Sequence, residues 1–220
     1  MIKVILDTDV GTDIDDILAL SLLLASPEVE LLGVTTAYGD TRLRGKLVHQ
    51  VLRDVGRAEQ IPIAAGGPTT LNGQRKIFWP VHEGKNLDPS ISDSVMVQKH
   101  AEDFILETVA QHPGEVTIIA ITPQANIARA ILKAPEEMRQ VKSILMMGGV
   151  FDLSDPEFPV AEHNIVSDPE AAKVVSDFGV PVTLLPLDVT TKTWLGPQKV
   201  ELLKASPDPL AQLLHAELVN

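Results

Sequence analysis

The chain has 220 residues, 45% of them hydrophobic, which suffices for one sizeable core or at most two small ones. Its formal net charge of −12 makes a nucleic-acid backbone or an anionic membrane surface a poor partner, because neither would gain from counterion release or basic attraction. Cysteine is absent, which removes disulfides, thiolate metal sites and cysteine nucleophiles together.

The N-terminal MIKVILDTD holds one lysine and a short apolar run before acid begins, too little for a signal peptide or a membrane span, so a cytoplasmic protein is expected. IKVIL (2–6) predicts a buried strand and ILALSLLLAS (17–26) a helix; LLGVTT (31–36) and RLRGKLVHQVLRDVG (42–56) repeat that pair. Residues 65–92, AGGPTTLNGQRKIFWPVHEGKNLDPSIS, break the rhythm with Gly, Pro, Asn and bulky aromatics, as a lid or binding loop would. SDSVMVQKHAEDFILETVAQH (92–112) predicts a long helix, followed by a strand at VTIIAI (116–121) and a helix at NIARAILKA (126–134). SILMMG (143–148), DPEAAKVVSDFG (168–179) and VPVTLLPL (180–187) complete a strand, helix, strand series. Strand alternating with helix implies an α/β fold: an open, mainly parallel, Rossmann-like sheet with helices on both faces. Ligands of such sheets bind beyond the carboxyl ends of the strands, so the loops starting near Asp7, Thr36, Ile121, Gly148 and Pro186 are expected to share one rim.

At the first of these ends stands DTDVGTDIDD (7–16), five aspartates in ten positions. Capping accounts for part of it: Thr12 or Asp13 would N-cap a helix starting near Ile14, with Asp15 and Asp16 in its first turn at the positive end of the dipole. Asp7 and Asp9, where a buried strand emerges, need something more, since desolvation would raise their pKa unless a cation offset it. Hard oxygen donors in this number suit Ca²⁺ or Mg²⁺. An EF-hand loop from Asp7 would want Gly and Glu where Thr12 and Leu18 stand. A haloacid-dehalogenase-type phosphatase also opens on strand then Asp-x-Asp, but no clear later acidic pair for Mg²⁺ follows here.

A closer match is available. VILDTDVGTDIDDILAL resembles the N-terminal signature of the inosine-uridine-preferring nucleoside hydrolases, in which an Asp-x-Asp-x-Gly run and a following Asp-Asp pair build a calcium site. GVTTAYGD (33–40), AGGP (65–68), HEG (82–84), ITPQANIARA (121–130), ILMMGGVF (144–151), VAEHNIVSDPEAA (160–172) and LDVT (187–190) follow in the family's order, so the resemblance spans nearly the whole chain. It implies a nucleoside-hydrolase fold and calcium-dependent hydrolysis of the N-glycosidic bond of ribonucleosides to ribose and free base. By position in the motif, Asp9 would be the metal-bound general base and Asp16 a bidentate ligand, while Asp15 would meet a ribose hydroxyl. Two residues more than the shortest family form separate Gly11 from the Asp-Asp pair, so Asp13 is an alternative for one of these roles. The backbone carbonyl of Ile121 would complete the metal's protein ligands. Glu162 and Asn164 match ribose contacts, Asp40 stands where many relatives carry a ribose-binding asparagine, and His82 lies in the family's pocket-covering loop. Phe78, Trp79 and Trp194 are candidates to stack on a base.

His49, His100, His112 and His215 fall on predicted helices or their ends and need no functional explanation. Asp168 followed by Pro169 reads as a helix start. Family members are longer and carry a His-Asp pair beyond the region matching LLHAELVN (213–220), one supplying a calcium ligand and the other implicated in protonating the leaving base. The chain is therefore expected to be a single domain over 1–220 that lacks the family's C-terminal part, either a fragment or a shortened member with an incomplete calcium and ribose site. A homo-oligomer, dimer or tetramer, is the assembly common among the relatives. No nucleic-acid or membrane partner is expected.

Overall fold

A computed structural model describes residues 1–11, 13–75, 84–85, 87–154 and 161–219. Among these residues, six parallel strands form one sheet: β1 (Ile2–Thr8), β2 (Val29–Thr36), β3 (Ile63–Ala65), β4 (Val116–Ala120), β5 (Ser143–Met147) and β6 (Val182–Leu185), in the order β3-β2-β1-β4-β5-β6. The order reverses between β1 and β4, and a crevice opens beyond the carboxyl ends of strands at such a switch point.

Helices cover both faces. Along β1, Val4 and Leu6 point into a core shared with Ile17 and Leu20 of α1 (Asp15–Ala25), with Val48 and Leu52 of α2 (Thr41–Asp54) and with Leu214 near the C-terminus. Ile5 points the other way, toward Ile105 and Val109 of α3 (Ala101–Gln111), Ile127 and Ile131 of α4 (Ala125–Lys133), and Met138 of α5 (Pro135–Met138). Ala171 and Val175 of α7 (Pro169–Asp177) join that second core, which follows α6 (His163–Ser167). These continuous apolar runs, rather than alternating ones, are what a strand buried on both faces requires. The chain closes with α8 (Leu187–Thr190), α9 (Pro197–Ala205) and α10 (Pro209–Val219), the last lying against α1 and α2. Among the described residues no helix is long and apolar enough to cross a membrane.

The structure corrects the sequence reading in four places. The helix expected over 92–112 begins only at Ala101: Ser92 caps a short 3₁₀ turn at Asp93–Val95, and the backbone is extended at Met96 and His100. The carboxylate of Asp93 is held there by Arg42 and Lys46, so local hydrogen bonds and ion pairs override the helical spacing. β3, three residues long, lay inside a stretch of Pro, Ala and Gly with too few positions to show a period. β6 forms the sheet edge, with Leu185 exposed, instead of a strand buried on both sides. The first helix starts at Asp15 with Ile14 at the cap position and no side-chain cap, so Asp13 does not cap it; Thr12 lies outside the described residues.

Candidate active site

The acidic loop emerges at the switch point. Asp7 closes against β4, its carbonyl accepting from Ile121 N–H at 2.9 Å, and its side chain is fully buried beneath the loop. One carboxylate oxygen accepts from Thr35 Oγ1 at 2.6 Å and from Asn126 Nδ2 at 2.8 Å. Asn126 also donates to the Thr36 carbonyl at 3.1 Å, so one amide ties the ends of β1 and β2 to α4. Burial outweighs these donors and pushes the Asp7 carboxyl up to about 6.

Asp9 is half-buried at the loop's start, and desolvation pushes its carboxyl up to about 7, against the pull of Arg44 and the Thr122 hydroxyl and with added repulsion from Asp15. Asp16 is buried in the first turn of α1, where Thr8 Oγ1 donates to it. Its carboxyl is raised well above its ordinary value, first by burial and next by the charge of Asp9, while Arg44 pulls the other way. Asp15 and Asp13 are exposed; partial burial and the Asp13 charge raise the Asp15 carboxyl. The structure thus brings Asp9, Asp15 and Asp16 within electrostatic reach of one another.

Arg44 of α2, which nothing in the sequence singles out, is 2% exposed. Its Nε donates to the Tyr38 carbonyl at 2.7 Å, and its Nη1 donates to the carbonyls of Asp9 and of Val10, the latter at 2.8 Å. Tyr38 sits at φ 63° and Gly39 at φ 80°, so the turn after β2 is left-handed over two residues and aims the Tyr38 carbonyl inward. Asp40, directly after it, N-caps α2 by accepting from Leu43 N–H at 2.9 Å. It also lines a neighbouring cavity of about 490 Å³ with Gly66, Gly67, Gln98 and Lys99.

The opposite wall comes from 161–168. Glu162 N-caps α6: one carboxylate oxygen accepts from Asn164 N–H at 2.7 Å, the other from Gly149 N–H at 3.0 Å and Ile165 N–H at 3.1 Å. Three donors leave a carboxylate room for about one more, such as a sugar hydroxyl. The Asn164 amide reaches the Ile121 carbonyl at 3.4 Å and the Met147 carbonyl at 3.3 Å, which places the AEHN segment over the tips of β4 and β5. His163 stands between them, edge-on to the Tyr38 ring at 5.6 Å with Nε2 3.5 Å from Ser167 Oγ. Desolvation lowers its pKa, opposed by the charges of Glu162 and Asp13. A histidine in the Glu-His-Asn triplet, beside two assigned residues, was the available signal for it. Asp168 caps α7 as expected, accepting from Ala171 N–H at 3.1 Å, and its second oxygen accepts from Leu71 N–H at 2.6 Å, which ties down the 65–75 loop.

Several expected residues do not join this group. His82, Phe78 and Trp79 lie outside the described residues. Trp194 is 73% exposed on the far side of α8 in sequence and packs into no core. His49 and His215 lie within α2 and α10, and His100 and His112 flank α3.

The donor set can be weighed as a cation site. Among the described residues no three His, Cys, Asp or Glu side chains form a ready metal cage. The carboxylates of Asp9 and Asp16 repel each other, and one buried cation, Arg44, faces both. Hard oxygen donors whose mutual repulsion a guanidinium only partly relieves are the kind that a divalent ion such as calcium or magnesium fits.

The chain is similar to known proteins along nearly its whole length. The sequence model described as inosine-uridine preferring nucleoside hydrolase matches residues 4–220. The chain is 34% identical to uridine nucleosidase 1 of Arabidopsis thaliana, covering 99% of this chain and 64% of that protein. It is 30% identical to the pyrimidine-specific ribonucleoside hydrolase RihB of Escherichia coli O157:H7, covering 99% and 69%. A solved plant nucleoside hydrolase superposes with a TM-score of 0.86 at 32% identity over 98% of this chain and 69% of that one. A purine-preferring ribonucleoside hydrolase from Gardnerella vaginalis does so with a TM-score of 0.82 at 27% identity, over 97% and 71%. The chain spans 64 to 66% of the length of the plant uridine nucleosidases it matches. With a family match over nearly every residue and the same open parallel sheet, the chain belongs to the inosine-uridine preferring nucleoside hydrolase family.

Proposed function

We propose that this chain carries the calcium-dependent ribonucleoside hydrolase chemistry of its family, cleaving the N-glycosidic bond to yield ribose and free base. The observation that supports it most is the pairing of two desolvated, mutually repelling carboxylates, Asp9 and Asp16, at the switch point, facing a wall built from Glu162 and Asn164. Asp9, Asp16 and the Ile121 carbonyl would hold the ion. Bound there, calcium supplies Lewis acidity toward the oxygens of water and ribose.

The chain's own groups do the rest. An Asp9 carboxylate oxygen takes the proton of the attacking water, the role of a general base held within hydrogen-bond reach of it. Cleavage builds positive charge on the sugar ring, and the surrounding carboxylates favour that charge more in the transition state than in the ground state. Asp15, Asp40 and the free capacity of Glu162 would accept from ribose hydroxyls, and Asn164 would orient the 5′ side of the sugar. His82 would cover the base. The phosphatase alternative for Asp-x-Asp belongs to a different family from the one matched over 4–220.

The test is calcium titration calorimetry followed by reducing-sugar release from inosine and uridine, with wild type and Asp9→Asn. Calcium binding with release that Asp9→Asn suppresses by on the order of a hundredfold or more is expected of a lost general base. Release unchanged by the substitution removes Asp9 from that role.

A further inference from the structure

We propose that Arg44 is a positioning residue for the metal site: its guanidinium clamps the acidic loop to the turn that carries Asp40, and without the clamp the loop's carboxylates do not converge on a cation. The inference rests on the reading of the acidic loop as that site.

Three observations carry it. The side chain is 2% exposed, so its donors have protein partners or none. Its Nε and Nη1 diverge to carbonyls on two separate loops, Tyr38 on one and Asp9 and Val10 on the other. Finally, Tyr38 adopts φ 63°, a left-handed backbone that costs a non-glycine residue energy, and this conformation turns its carbonyl to the guanidinium. A planar fork makes this divergent contact; a lysine ammonium is a point charge and cannot hold both loops in the same way.

The charge of Arg44 gives the test a sign. A buried cation beside a calcium site repels calcium, so if Arg44 were only a counter-charge for Asp9 and Asp16, removing it would leave calcium binding as tight or make it tighter. If it is a clamp, removing it loosens the donors and weakens binding, on the order of tenfold or more for the loss of charge-assisted hydrogen bonds.

Calcium affinity is measured by calorimetry, without substrate, for wild type, Arg44→Met and Arg44→Lys, below each melting transition. Native-state hydrogen exchange on the metal-free proteins follows the acidic loop and β5 as an internal control. Both variants should bind calcium more weakly than wild type, and exchange should rise in the acidic loop while β5 stays protected. Binding by Arg44→Met as tight as wild type, or full recovery in Arg44→Lys, overturns the clamp. If Arg44→Met does not fold, Arg44→Lys decides by the same two measurements. If wild type itself binds no calcium, the metal-site reading fails separately, and an acidic loop equally protected in wild type and Arg44→Lys overturns the clamp.

Discussion

Replacing Asp7 by Asn in the metal-free protein should stabilise it near neutral pH and do so less in acid. Asp7 is fully buried; one oxygen accepts from Thr35 and Asn126, the other has no hydrogen-bond partner among the described residues, and the Asn126 carbonyl oxygen likewise has none. Its carboxyl is pushed up to about 6 from an ordinary value of 3.8. The native state therefore holds a proton that the unfolded chain releases first, so stability falls as pH rises from about 4 to about 6 and then levels. At ~1.4 kcal/mol per pH unit this one group costs about 3 kcal/mol by pH 7.5, about 2 kcal/mol of it gained above pH 4.5. Asparagine mimics the neutral acid and keeps an acceptor for Thr35 and Asn126, so it escapes this cost. The stability difference between Asp7→Asn and wild type should then grow by about 2 kcal/mol between pH 4.5 and 7.5, or roughly 4–8 °C in melting temperature for a chain of this size. Taking the difference between the two proteins cancels the other titrating groups, including His163, whose lowered pKa acts with the opposite sign near pH 6. Urea unfolding in chelator at both pH values measures it. A difference that is constant with pH, or that favours wild type more at pH 7.5, would refute the argument that burial of Asp7 outweighs its two donors.

Calcium should raise the melting temperature of wild type at pH 7.5, by the equivalent of ~2.7 kcal/mol at a hundredfold excess over its dissociation constant, and chelator should reverse it. The same addition should leave the melting temperature of Asp16→Asn unmoved. Gly66→Ala should destabilise by roughly 1–3 kcal/mol whatever the metal content, because a Cβ there would stand 2.0 Å from Asn126 Oδ1 and 2.7 Å from the Thr36 carbonyl. Melting curves in chelator and in calcium that show no loss for this variant would mean that the Asn126 bridge has room to move.

The order of elements and the location of the rim were legible in the sequence because both are local. Apolar runs such as IKVIL and VTIIAI cannot be solvated, helical spacing between them makes a parallel sheet, and Asp-x-Asp at a strand end is conspicuous because uncompensated acid is expensive there. Asp168 with Pro169 announced a helix start for the same reason: the capping chemistry is contained in neighbouring residues. Where the outcome depended on distant partners, the sequence was silent or misleading. The helix expected from residue 92 yielded to Ser92 and to ion pairs of Asp93 with Arg42 and Lys46, some fifty residues away in the chain. The acidic loop suggests Thr12 or Asp13 as the cap of the first helix, and the fold puts Ile14 at that position instead.

The chain's composition and motif order alone determined the fold class and the family, since burial of apolar runs and the spacing of acids are written in one dimension. Only the tertiary structure decided which acid is desolvated and which solvated: Asp16 is buried against Asp9 while Asp15, its neighbour, faces water. Only the fold, too, made Arg44 the cation beside that pair, because a guanidinium acquires its meaning from carbonyls that arrive from two other loops.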